Sequence, residues 1–103
     1  MAIKKQYFKT KTNCKVTLSL PLEVVKGSKK VSVVGDFNNW DSSANPMKKY
    51  KNSGECKTSL TLEKGKEYQF RYLIDGDKYE NDWAADKYVQ SPLSNDENSV
   101  VIL

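Results

Sequence analysis

"EYQFRYLID", residues 67–75, alternates without a break: Tyr68, Phe70, Tyr72 and Ile74 fall on one side, and Gln69, Arg71 and Leu73 on the other. Successive strand residues point to opposite faces, so this period of two predicts a β-strand rather than a helix. The first face is aromatic and aliphatic and belongs in a core. The second is unusual, because the outer side of a half-buried sheet is normally polar throughout. A glutamine, an arginine and a leucine side by side read as the floor of a site.

The same period recurs outward from this stretch. Cys14, Val16, Leu18 and Leu20 alternate with Lys15, Thr17 and Ser19; Val31 and Val33 point inward in "KKVSVVGDF"; Cys56, Thr58, Leu60 and Leu62 alternate with Lys57, Ser59 and Thr61. A last strand is expected in "ENSVVIL", residues 97–103. "EKGKE" at 63–67 predicts a polar turn that reverses the chain into the strand at 67–75, and the Asp-Gly pair of "DGDK" at 75–78 predicts a hairpin. Residues 38–54 read as a long connection with one short strand near Met47, and 81–97 as a second weakly patterned region. No helical stripe of useful length is present.

Short strands between Gly, Asn, Asp and Pro turns, in 103 residues, predict an all-β fold: an immunoglobulin-like β-sandwich of two antiparallel sheets. An OB-type barrel is the alternative. The chain reads as a single domain over 1–103, with 1–12 an edge strand or a flexible start.

Composition narrows the function classes. The formal charge is +4, but residues 1–30 hold eight Lys against Glu23, whereas 31–103 hold nine Lys or Arg against twelve acids. Sixteen of the seventeen basic residues are Lys, where readers of phosphate and bases lean on Arg, so the basic start reads as a solvated, aggregation-resistant edge and no nucleic-acid partner is expected. No apolar run is long enough for a membrane span, and no membrane partner is expected. The N-terminus has lysines but no apolar segment of the kind that precedes signal cleavage, which predicts a cytoplasmic location. Cys14 and Cys56 lie in phase with apolar positions and read as buried free thiols. With no histidine and no CxxC, neither a metal site nor a His-based triad is expected, and no cofactor is implied.

Four aromatic residues fall outside the alternation: Trp40 in "VVGDFNNWD", Tyr79 past the Asp-Gly turn, Trp83 in "NDWAAD", and Tyr88. Singly, each can be explained as a plug over the end of the core, and Tyr79 and Trp83 more readily than Trp40. As a group with Arg71 and nearby amides they supply what a sugar needs, since a pyranose offers an apolar C–H face and a rim of hydroxyls. For Trp40, plug and platform remain open on pattern alone. Asp36 and Phe37 read as architectural, and Asn38 and Asn39 suit either role.

Four stretches in order, "VSVVGDFNNWD", "LEKGKEYQFRYLIDG", "NDWAAD" and "ENSVV", resemble carbohydrate-binding module family 48, the isoamylase N-terminal or early-set domain. The first matches a strand followed by G-x-F-N-x-W, and the second matches G-x-x-Y-x-[FY]-[KR]-[FY]-x-[VI]-D-G. The resemblance spans nearly all the chain beyond residue 12. It implies a non-catalytic module for α-1,4-linked glucan (glycogen, starch or maltooligosaccharide), with a separate glycogen- or starch-active enzyme as a further partner. It also implies sugar contacts from Trp40, Arg71 and Asn98. Tyr79 stands one residue past the family's second tryptophan position and is read as the second stacking ring, and Leu93 matches a leucine on the loop that reaches into the glucan ring, a loop here one residue longer. Trp83 replaces the family's usual proline and is either a third stacking surface or a space filler.

Other classes fit less well. An enzyme needs paired carboxylates flanking a substrate, and Asp36, Asp41, Asp75 and Asp82 form no recognisable pair. "DGDKYEND" lacks the spacing and the later bidentate Glu of an EF-hand loop. The main alternative is an early-set domain that serves as a protein-interaction or structural module without sugar affinity.

Overall fold

The computed structural model of the chain describes residues 1–9, 12–92 and 94–103. The strands are β1 (Ala2–Tyr7), β2 (Asn13–Leu20), β3 (Val31–Gly35), β4 (Lys48–Lys49), β5 (Cys56–Glu63), β6 (Glu67–Ile74), β7 (Lys78–Glu80), β8 (Lys87–Gln90) and β9 (Glu97–Ile102). They form two antiparallel sheets, one ordered β1-β2-β5-β4 and the other β3-β6-β9-β8, with β7 added to β6. This is the predicted two-sheet architecture. A single helical turn, α1 (Leu22–Val25), and a 3-10 turn, Asp36–Asn38, complete the elements among the described residues. No helix among them is long and apolar enough to cross a membrane.

Alternation in the sequence becomes burial in the sandwich. Val16, Leu18, Leu20, Leu60 and Leu62 from the first sheet meet Val31, Val33, Phe70, Tyr72, Ile74 and Val101 from the second. Burying a side chain of this size contributes about 1.5–3 kcal/mol, so these positions carry the fold. Phe70 and Tyr72 sit 5.7 Å apart with their rings at 86°, an edge-to-face contact. Cys14 and Cys56 are both buried and unbridged. The ladder pairs Cys14 with Leu62 and Cys56 with Leu20. The two thiols are thus six residues apart along it, about 20 Å at the usual strand rise and far beyond disulfide reach.

Residues 1–12 include an edge strand, since β1 pairs β2 from Ala2↔Ser19 to Tyr7↔Cys14. The short strand expected near Met47 is β4. The turn at 63–67 leads into the strand at 67–75 as expected, and it does so across the sandwich: β5 pairs β2 along its length and β4 at Cys56 and Lys57, whereas β6 pairs β3, β7 and β9 in the opposite sheet. The apolar side of β5 thus faces β6 across the core. One expectation needs correction. The weakly patterned region 81–97 contains β8, an edge strand whose burial pattern is exposed except at Val89.

β6 is the hub of the second sheet. β3 runs along one edge, pairing from Val31↔Ile74 to Gly35↔Phe70. The other edge is shared, with β9 on Glu67–Phe70 and β7 on Tyr72–Ile74. At Gly35, an added Cβ would lie 2.5 Å from the Gln69 carbonyl oxygen and 2.8 Å from the Phe70 Cβ of β6. Its φ of -176° is ordinary extended backbone, so space alone demands glycine here.

Gly35→Ala is expected to destabilise the fold by about 1–3 kcal/mol through overpacking against rigid backbone. Urea unfolding checks this, with a lowered midpoint at unchanged slope; an unchanged midpoint contradicts the close approach.

Candidate functional site

Register places a cluster of polar and aromatic side chains on the outer face of the second sheet. Val34 pairs Arg71, Leu73 pairs Tyr79, Gln69 pairs Val100 and Asn98 pairs Val89. Directly opposed residues share a face, so Gln69, Arg71, Tyr79 and Asn98 stand together, opposite to Phe70 and Tyr72. The loop after β3 brings Asp36 and Trp40 to the same place, and Ser91, Pro92 and Ser94 close it from the connection before β9. They line an open groove of about 420 Å³.

Trp40 is held by local geometry. Asn39 and Trp40 are both left-handed, with φ of 55° and 57°, a conformation asparagine tolerates and a side chain as bulky as tryptophan rarely adopts. The Trp40 N–H donates to the Gly35 carbonyl at 2.9 Å. Asn38 braces the turn, its Oδ1 accepting from the Gly35 N–H and its Nδ2 donating to the Val33 carbonyl and to Asn45 Oδ1. Asp36 joins the loop to the sheet: one carboxylate oxygen accepts from Trp40 Nε1 at 3.2 Å, the other from the Gln69 N–H at 2.8 Å. The indole stays 37% exposed and is no part of the core cluster. Of the two readings open in the sequence, the core plug is the one this placement does not match.

The floor is a hydrogen-bonded chain. Arg71 Nε donates to Asn98 Oδ1 at 2.6 Å, and Asn98 Nδ2 donates to Gln69 Oε1 at 3.0 Å. Asp96 lies 4.0 Å from Arg71 Nη1, and the Arg71 Cζ is 5.8 Å from the Tyr79 ring centroid. The guanidinium is thereby fixed in direction while its remaining N–H groups outnumber these contacts. Asn98 is 3% exposed, with both amide atoms engaged. It orients Arg71 more than it offers itself to a ligand.

The hairpin that carries Tyr79 is pinned at its turn. Asp75 Oδ1 accepts from the backbone N–H groups of Lys29 and Lys30 at 2.7 and 2.9 Å, and these bonds hold its carboxyl below the usual range. Beyond Tyr79, residues 81–84 are tied to the core. Asp82 is fully buried, its carboxylate accepting from the Tyr72 hydroxyl at 2.6 Å and from the Ala84 N–H at 2.7 Å. Burial, then the charge of Asp82 and its hydrogen bond, push the Tyr72 hydroxyl well above the ordinary tyrosine value.

Of the residues singled out in the sequence, Trp40, Arg71, Tyr79 and Asn98 meet in one groove. Trp83 does not line it; it lies in an adjoining depression. Leu93 falls outside the described residues. Asp36, expected to be architectural, also orients the indole. The sequence sign of that role is a carboxylate four residues before the tryptophan, legible only once the turn between them is known. Ser91, Pro92 and Ser94 had no sign beyond their turn chemistry.

A family model described as the glycogen recognition site of AMP-activated protein kinase matches residues 10–101, nearly the full chain.

Stability is expected to fall above about pH 10, where the unfolded chain releases a tyrosine proton that buried Tyr72 retains. The raised value makes this contribution whole below the unfolded pKa and lost as pH climbs towards the folded one. Tyr72→Phe should remove that dependence and lower stability at neutral pH by about 1–3 kcal/mol, because Asp82 loses a buried donor. Denaturant unfolding between pH 7 and 11 measures both; a variant as stable as the parent at pH 7 contradicts the role of the pair.

Proposed function

The chain belongs to the family of the glycogen recognition site of AMP-activated protein kinase, whose business is carbohydrate binding, and on that premise we propose that it is a non-catalytic module for α-1,4-linked glucan. The glucan lies in the groove between Trp40 and Tyr79. One observation carries the reading: an indole anchored by Asp36 at the edge of the groove, over a floor where Gln69 and Asn98 set the direction of Arg71.

The chemistry of each part suits a neutral polyhydroxyl chain. The exposed indole and phenol faces take the C–H faces of glucose units. Arg71 donates to hydroxyl oxygens, and Gln69 and the Ser91 and Ser94 region add groups that donate and accept. The lysines of β1 and β2 belong to the other sheet and do not converge on these rings. That weighs against a single-stranded nucleic acid, which needs cations and stacking surfaces along one path. The groove holds one arginine against Asp36, too little positive charge for a phosphate chain.

An open groove with few buried atoms implies affinities of roughly micromolar to millimolar. Trp40→Ala is expected to abolish binding of β-cyclodextrin in isothermal titration. Its melting temperature should stay within about 5 °C of the parent, since the ring is no part of the core. A loss of about 3–5 kcal/mol in stability would instead mark a core residue. Absence of any parent binding at millimolar sugar overturns the reading.

A further inference from the structure

Next to the groove lies a second depression that shares Arg71 and Tyr79 with it and adds Asp77, Trp83, Asp96 and Glu97. Trp83 is 63% exposed, the highest value among the large apolar side chains described. Exposure alone signifies little. What sets Trp83 apart is how firmly its backbone neighbours are held while the ring stays outside.

Before it, Asn81 Oδ1 accepts from the Ser99 N–H and hydroxyl at 2.9 and 2.8 Å, and Asn81 Nδ2 donates to the Glu97 carbonyl at 2.8 Å. The Asp82 N–H donates to Ser99 Oγ at 2.9 Å. After it, the Ala84 N–H closes onto the buried Asp82 carboxylate. Tyr88 adds a hydrogen bond from its hydroxyl to the Asp82 carbonyl. The segment is fastened to β6 and β9 around Trp83, so the backbone that carries the indole is in place before any ligand arrives. A ligand contact there orders one side chain and no loop.

The lining is also selective by charge. Asp77, Glu80, Asp96 and Glu97 face only Arg71 and Lys78. Carboxylates accept hydrogen bonds from sugar hydroxyls and repel phosphate, so a ring surrounded by them suits a neutral glycan.

We propose that this depression continues the glucan track: a chain long enough to fill the first groove passes Tyr79 and stacks on Trp83. The proposal rests on the glucan reading of the first groove. It adds a dependence on chain length, because short oligosaccharides held at Trp40 do not reach Trp83.

Isothermal titration of maltotetraose and maltooctaose against the parent, Trp83→Ala and Trp40→Ala tests it. Trp83→Ala should weaken maltooctaose about tenfold, equivalent to one stacking contact, and leave maltotetraose unchanged. Trp40→Ala should lose both sugars. Equal affinity of parent and Trp83→Ala for maltooctaose overturns the proposal while leaving the first groove intact. An equal loss for both lengths, or a lowered melting temperature with it, overturns it too, by making Trp83 structural. If the parent binds neither sugar, the glucan reading falls and this one falls with it.

Discussion

The two-residue period of β6 sets what the rest of the molecule can do. Phe70, Tyr72 and Ile74 occupy the core between the sheets, and the residues between them, Gln69, Arg71 and Leu73, are therefore turned outward. A slip of one position would expose the aromatic rings and bury the Arg71 guanidinium. An unpaired buried charge costs several kcal/mol, a large share of the stability of a domain this size. Hydrophobic packing thus fixes the register, and the register fixes the floor of the site. Gly35 marks where this control reaches the rest of the groove: β3 ends against the Gln69–Phe70 backbone, and the loop that departs from it carries Asp36 and Trp40.

That loop keeps an aromatic residue out of the core at a cost. A tryptophan in the left-handed region costs on the order of 1–3 kcal/mol, and Asn39 before it costs less. Asp36 and Asn38 offset it with bonds to the indole, to Gln69 and to Val33 and Gly35 of β3. A chain needing only to cover its sandwich end would turn the ring inward and gain the burial. Strain held in place by a dedicated carboxylate is what a presented surface requires. Residues 81–84 follow the same plan with different means, using buried Asp82 and Ser99 in place of a strained turn. Among the described residues, no buried side-chain nitrogen or oxygen lacks a partner, so these polar anchors do not weaken the core around them.

The half-buried strands were legible in the sequence because one side of each meets the core and the other meets water. Edge strand β8 was not, since its residues are exposed on both sides except Val89 and leave no period to read. Sheet partnership was hidden as well: "EKGKE" serves equally for a hairpin or a crossing, and the choice lies in β6 pairing with β3 and β9, strands distant in the sequence. In the site, Trp40 and Arg71 stood out because each breaks the pattern of its neighbours. Asn98 was visible by resemblance, but its burial was not, because that depends on Arg71 and Gln69, 27 and 29 residues away. Trp83 was visible as an off-pattern ring, whereas its place in a second depression follows from Asn81 and Asp82 binding β9 and β6.

The proposed binding of a neutral glucan on the outer face of the second sheet, between Trp40 and Tyr79, is open to direct test. Titrating isotopically labelled protein with β-cyclodextrin and following its NMR amide, indole and side-chain signals tests this most directly. Saturable shifts are expected at Trp40 Nε1–H, Gln69, Arg71 and Tyr79, with β2 (Asn13–Leu20) unmoved. Shifts confined to the β1–β2 sheet, or none at millimolar sugar, would contradict it.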